Sequence, residues 1–239
     1  VEDCTYYHAG HAISEKNYNT RCFSHVYVLN SIFHQTGAST NRAIFKVDLK
    51  TNASGYVATM PQALEAVKFV NSVFYAKSDL QQYLVDAGSS GDYQHDTANF
   101  ELTIKNCSTY GLWQANILAR AYKFKSFYFG YNVGWYDNTA NKNTYLTGDY
   151  AKVATTKVVE NNFLVTRANA GGNGWKDANH SNVSAYTSVN STIVSKDTED
   201  ASFPFDKTKM DVEKGYFPIN YTIVPANCGA SYTTKLWVK

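Results

Sequence analysis

Residues 123–137 read KFKSFYFGYNVGWYD. Successive side chains of a strand point to opposite faces, so an extended chain here puts Phe127, Phe129, Tyr131, Val133 and Trp135 in one unbroken apolar row. The other row, Tyr128, Gly130, Asn132, Gly134 and Tyr136, alternates larger side chains with two glycine notches. Such a face can fill a core, meet another subunit or carry a sugar platform, in which rings stack on pyranose faces and an amide supplies the polar contact. Tyr128, Asn132 and Tyr136 are therefore the candidate ligand-binding residues. The plainer use is that each glycine makes room for a large neighbour in an ordinary core.

The flanking sequence extends the strand reading. In CFSHVYVLNSIF (22–33) aromatic and β-branched residues occupy both faces, and in NRAIFKVDLKT (41–51) Ala43, Phe45, Val47 and Leu49 alternate with mostly polar neighbours. HQTGAST between them has turn chemistry, which predicts a hairpin. Phe100 to Lys105 alternates as a strand, and Tyr216 to Val224 and Ser231 to Val238 read as closing strands. Helical spacing appears between them. Thr59 and Gln62 have capping-box spacing, and Leu64, Val67, Val70 and Phe74 follow at helical intervals. Ser78 and Gln81 repeat the cap before Leu80, Tyr83, Leu84 and Ala87, and Gly88 stands at the C-cap position. Gly111 to Phe124 fits a helix slightly better than a strand. The expectation is an α+β, β-rich fold: mainly an antiparallel sheet or sandwich, with a helical pair around residues 60–88. We read no internal repeat and one secreted globular domain over 1–239, with long polar loops near 137–149 and 168–200.

Composition narrows the function. The chain has 239 residues, a net charge of +2 and scattered lysines, with no dense basic run to neutralise a row of phosphates. Nucleic acid is not an expected partner. No stretch approaches the roughly 20 apolar residues of a membrane-spanning helix. The sequence opens at Val1 without an initiator methionine, which suggests a removed leader and a secreted or cell-surface location. Cys4, Cys22, Cys107 and Cys228 are even in number with no CxxC pair, so two disulfides are expected. Of three pairings we favour Cys4 with Cys22 and Cys107 with Cys228. Sequons at Asn52, Asn106, Asn179, Asn182, Asn190 and Asn220 permit glycosylation.

Catalytic and metal motifs are weak. His8 and His11 lie near Cys4, but no further ligand cluster follows, and no metal or other cofactor is expected. Asp92, His95 and Asp96 could orient one another, yet GSSG at 88–91 lacks the nucleophile-elbow spacing. DNTANKN from Asp137 begins like a calcium loop, but Lys142 replaces its glycine and the closing glutamate is missing. Glu199 and Asp200 would need a facing carboxylate for glycoside hydrolysis. The balance leans away from an enzyme. The leading expectation is a structural subunit of an extracellular assembly that pairs with copies of itself, through strand exchange by residues 231–239. A carbohydrate-binding module using surface aromatics is the alternative, and a secreted hydrolase the second.

Overall fold

The computed structural model describes residues 1–8, 12–17, 25–35, 42–49, 65–76, 82–87, 100–111, 117–121, 124–136, 144–147, 156–166, 175–176, 191–195 and 202–231. Among these there are 18 strands and no helix. A first partial coil supplies β1 (Thr5–His8) and β2 (Ile13–Asn17). The next consists of β3 (His25–Leu29), β4 (Ile32–Gln35) and β5 (Arg42–Leu49), followed by β6 (Ala66–Val70), β7 (Val73–Ala76) and β8 (Gln82–Ala87). Then come β9 (Phe100–Lys105), β10 (Ser108–Gly111) and β11 (Ile117–Ala121), and after them β12 (Phe124–Gly130), β13 (Val133–Tyr136) and β14 (Thr144–Thr147). The last coils give β15 (Thr156–Glu160), β16 (Phe163–Thr166), β17 (Trp175–Lys176) and β18 (Thr192–Ser195).

Each strand lies beside its counterpart one coil away. This produces three sheets: β3-β6-β9-β12-β15 (wall A), β1-β4-β7-β10-β13-β16-β18 (wall B) and β2-β5-β8-β11-β14-β17 (wall C). Every pairing in them is parallel. The connection that parallel strands require is here the rest of the coil, so the chain is a parallel β-solenoid.

A two-residue corner recurs before the wall B strands. Among the described residues its first member adopts positive φ at Asp3 (51°), Asn30 (49°), Asn71 (50°), Asn106 (51°), Tyr131 (59°) and Asn161 (52°). Asparagine tolerates this left-handed conformation better than most side chains, which is why it holds four of these six positions. The second corner residue, Ser31, Ser72, Cys107, Asn132 or Asn162, is buried and points into the solenoid. These side chains form a ladder along the axis. Ser31 N–H donates to Ser72 Oγ (3.1 Å), Cys107 N–H to Asn132 Oδ1 (2.9 Å), Asn132 N–H to Asn162 Oδ1 (2.9 Å) and Asn162 N–H to Ser191 Oγ (3.1 Å). The corner amides, which no strand ladder reaches, are thus satisfied by a side chain one coil away.

Inside the coils Val28, Phe69, Ile104, Phe129 and Val159 stack in register along wall A, and Phe33, Phe74 and Leu164 along wall B. The outer face of wall B is apolar as well. Ile32, Val73, Tyr75, Val133, Trp135, Phe163 and Val165 form a second cluster with Phe203, Phe205, Phe217, Ile219 and Val224. These last belong to an irregular segment, 202–231, which returns along wall B as a belt. Tyr110 stacks on Phe217 (4.6 Å, 20°) and Trp135 meets Phe203 edge-on (5.1 Å, 71°).

The antiparallel sandwich and the helical pair at 60–88 are therefore corrected. Residues 66–70, 73–76 and 82–87 are strands β6, β7 and β8, and 117–121 is β11 rather than part of a helix. Residues 59–64 and 78–81 lie outside the described residues. The apparent helical period arises at the corner. Val67 and Phe69 face inward at strand spacing, Asn71 and Ser72 turn the chain, and Phe74 faces inward again. Val73 and Tyr75 are apolar because the belt covers them, which removes the alternation of a half-solvated strand. The predicted hairpin between 33 and 41 is also corrected, since β4 and β5 belong to different parallel walls.

Candidate functional site

The belt's end crosses the row of left-handed corners, and a groove of about 590 Å³ opens there. It is lined by Val70, Asn71, Asn106, Tyr221, Ala226, Asn227, Gly229 and Ser231. One wall is therefore the solenoid corner and the other the belt. The seam is tied by hydrogen bonds from both sides: Asn106 Nδ2 donates to Asn227 O (2.5 Å), Gly229 N–H to Tyr131 O (2.7 Å), Ala230 N–H to Ser108 Oγ (3.0 Å) and Ser231 N–H to Asn71 Oδ1 (2.5 Å). Asn71 Nδ2 continues the row by donating to Asn30 Oδ1 (2.8 Å).

Gly229 makes the close approach possible. At φ 77° a side chain would be strained, and an added Cβ would collide with Ile219 Cδ1 and crowd Ser108 Oγ and Val133 Cγ2 at 3.0 Å. Tyr221 stands over the groove with 56% of its surface exposed, and its hydroxyl lies 3.5 Å from Cys228 O. Its partial burial, with a smaller contribution from Cys228, raises the phenol's pKa, so the ring is neutral at physiological pH.

The three ligand-binding candidates are not gathered on one face. Asn132 is a rung of the internal ladder, 2% exposed, donating to Ile104 O (3.0 Å) and Asn162 Oδ1 (3.0 Å). Tyr128 points out from wall A and donates to Glu160 Oε1 (2.6 Å). Burial first and this hydrogen bond second push its pKa well up. Gly130 is the notch that lets it do so, because a Cβ there would lie 2.5 Å from Tyr128 Oη. Tyr136 belongs to β13, on wall B.

The disulfide expectation is corrected: Cys4, Cys107 and Cys228 are free thiols, and Cys22 lies outside the described residues. The favoured Cys107–Cys228 bridge fails because wall B separates the two. Cys107 belongs to the interior cluster and Cys228 to the cluster beneath the belt. Burial pushes the Cys107 thiol up to about 12 and that of Cys228 to about 11. With neither bridge nor sandwich present, nothing in the fold speaks for the secreted glycoprotein that the cysteine count and sequons suggested. Asn106 spends its amide nitrogen on Asn227 O, and Asn220 accepts from the Thr222 amide (3.2 Å) and hydroxyl (2.5 Å).

Asn52, Asn179, Asn182 and Asn190 lie outside the described residues, as do His11, Asp92, His95, Asp96, Glu199, Asp200 and the stretch from Asp137 to Asn143. His8 is in β1. Among the described residues no group of three or more His, Cys, Asp or Glu side chains could hold a metal ion, and no helix is long and apolar enough to cross a membrane. Of the groove residues, Asn106 was singled out only as a sequon, and Asn71, Tyr221 and Asn227 not at all. The available signal was the recurring asparagine before a short polar residue or cysteine: VLNSIF (28–33), FVNSVF (69–74), IKNCST (104–109) and VENNFL (159–164). In comparisons with known proteins, no family model, no curated protein and no solved structure matches the chain.

Proposed function

We propose that this β-solenoid is a carbohydrate-binding protein whose ligand sits in the groove between the corner row and the belt. The observation that carries the reading is the character of the lining. It combines an exposed tyrosine ring, three asparagines and a serine, and among the described residues no charged side chain lines it. An anionic or cationic ligand would call for a countercharge, and a lipid for continuous apolar walls. A neutral sugar needs an aromatic face for its C–H surface and amides for its hydroxyls. The groove offers both.

A screen of the full chain against immobilised neutral gluco-, xylo- and manno-oligosaccharides tests this. Binding is expected for at least one class, with Tyr221→Ala weakening it roughly tenfold, the loss of about 1.4 kcal/mol. Tyr221 is more than half exposed, so the variant's melting temperature should stay close to that of the wild type. A wild type that binds none of these sugars, or a Tyr221→Ala variant that binds as well, overturns the reading.

Association of copies of the chain is a second reading, favoured by the ends of wall B. Among the described residues β1 and β18 are its outermost strands, and a parallel stack can continue into another copy. Residues 232–239, the segment expected to exchange, lie outside the described residues. Ser231 before them is tied to Asn71 of the same chain. Light scattering across a concentration series separates a monomer from end-to-end stacks.

A further inference from the structure

We infer that Tyr131, one coil beyond the groove, is a specificity-determining residue, providing a second ring contact for an extended oligosaccharide that leaves the groove along the solenoid axis. The inference rests on the carbohydrate reading and deepens it. Its starting point is the corner row, where Asp3 is followed by asparagine at Asn30, Asn71, Asn106 and Asn161, and among these described corners the coil of β12 and β13 alone carries tyrosine, at φ 59°. A β-carbon and a bulky ring are costly in the left-handed region, and asparagine, which accepts it more readily, is what the neighbouring coils use. The backbone connections at Tyr131 match those of the other corners: its N–H donates to Glu160 O (3.0 Å), as Asn106 N–H donates to Gly130 O (3.2 Å). The tyrosine is therefore not required by the corner itself.

Its position gives the reason. The groove climbs from Asn71 to Asn106 on adjacent coils, and Tyr131 occupies the next one, where its carbonyl receives the N–H of the groove residue Gly229. Lys105 Nζ lies 5.7 Å from the centre of its ring. Adjacent coils of a parallel sheet are about 4.8 Å apart. A pyranosyl residue advances an extended glycan by nearly the same length, so successive sugars can meet successive corners. Tyr221 then holds one sugar and Tyr131 another farther along the chain.

The test replaces Tyr131 with the residue its own ladder prefers. Tyr131→Asn is expected to keep or raise the melting temperature, because it relieves an unfavourable conformation. It should weaken binding of a neutral hexasaccharide roughly tenfold, about 1.4 kcal/mol, while leaving the affinity for the corresponding monosaccharide unchanged. Tyr131→Phe, which keeps the ring, should bind the hexasaccharide like the wild type. The inference is overturned if Tyr131→Asn retains hexasaccharide affinity, or if monosaccharide and hexasaccharide binding fall together. Failure of the wild type to bind any neutral sugar marks the groove reading itself as the fault, and this inference falls with it.

Discussion

The coils and the belt are built on opposite principles. In the coils, each strand repeats the pairing of the one beneath it, and the buried corner residues hand a hydrogen bond from coil to coil. Stability there is a sum of neighbouring interfaces, and sequence varies wherever a coil tolerates it. The belt has no such ladder. Among the described residues its backbone forms two isolated antiparallel bridges, Phe205 with Ile219 and Asp211 with Tyr216. It holds its course by placing particular rings against wall B and by anchoring its end at the corners. A repetitive surface offers the same chemistry at every coil, and only a non-repeating segment laid across it makes one place different. The groove lies where the two meet.

Single substitutions can pull the two regions apart. Phe217 is fully buried between Tyr75 (5.3 Å), Tyr110 (4.6 Å) and Phe205 (5.7 Å). Phe217→Ala should cost about 3–5 kcal/mol of belt docking. Hydrogen exchange is expected to show lost protection across 202–231 while amides of β9 and β12 stay protected, whereas loss of protection throughout would mean that belt and coils fold as one unit. Asn132→Ala acts on the ladder instead. It removes the acceptor of Cys107 N–H and the donor to Ile104 O, both buried, at roughly 2–3 kcal/mol. Its effect should reach the coils on both sides and lower the midpoint of the main unfolding transition. If only the belt loosens, the ladder is not what joins the coils.

A smaller change sharpens the boundary between the regions. Gly229→Ala leaves every ring in place but forces a side chain into a left-handed position against Ile219, Ser108 and Val133. A cost of about 1–2 kcal/mol is expected, confined to the belt's end. If the groove binds sugar, affinity should fall with little change in the main melting transition. An unchanged affinity would mean that the belt's end does not shape the groove.

The comparison also explains what could be read from the sequence. Strands at 100–105 and within 22–33 and 41–51 were legible because alternation survives inside a strand. Their parallel arrangement was not, because it depends on corners that a window of local periodicity crosses without noticing. At 67–74 the corner shifted the phase of the apolar residues and imitated a helix. In the stretch at 123–137 the corner at Tyr131 and Asn132 divides what reads as one long strand into β12 and β13, so the second row of side chains never forms a continuous face. Coil spacing hides the repeat as well: wall B strands begin at Ile32, Val73, Ser108 and Val133, so the interval falls from 41 residues to 25. The belt was read as late strands at 216–224, because its apolar residues are real but serve wall B rather than a ladder of their own. The groove was least legible, since it joins residues as far apart as Asn71 and Ser231.

Acid should produce the smallest effect, and it should begin in the belt. Asp206 accepts from the Thr208 hydroxyl (2.6 Å) and amide (3.0 Å) and faces Lys209 Nζ (2.9 Å), and these contacts, Thr208 foremost, hold its carboxyl down to about 2. Asp211 is lowered in the same sense by Lys214 (2.9 Å). A carboxyl whose folded pKa lies below its unfolded value, about 3.9, stabilises the folded form above that pH, and the contribution disappears as pH falls toward the folded value. The window for Asp206 is thus pH 4 down to 2. The pairs sit in solvent, so the consequence is local loosening of the turns at 206–216 rather than unfolding. Amide exchange or NMR shifts of those residues, followed from pH 5 to 2, should change before any signal from the coil interior, and Asp206→Asn should remove most of the pH dependence at 206–209. Coil signals that change first, or an acid response untouched by Asp206→Asn, would place the acid-sensitive contacts in the solenoid and reverse the order of stability argued for its two parts.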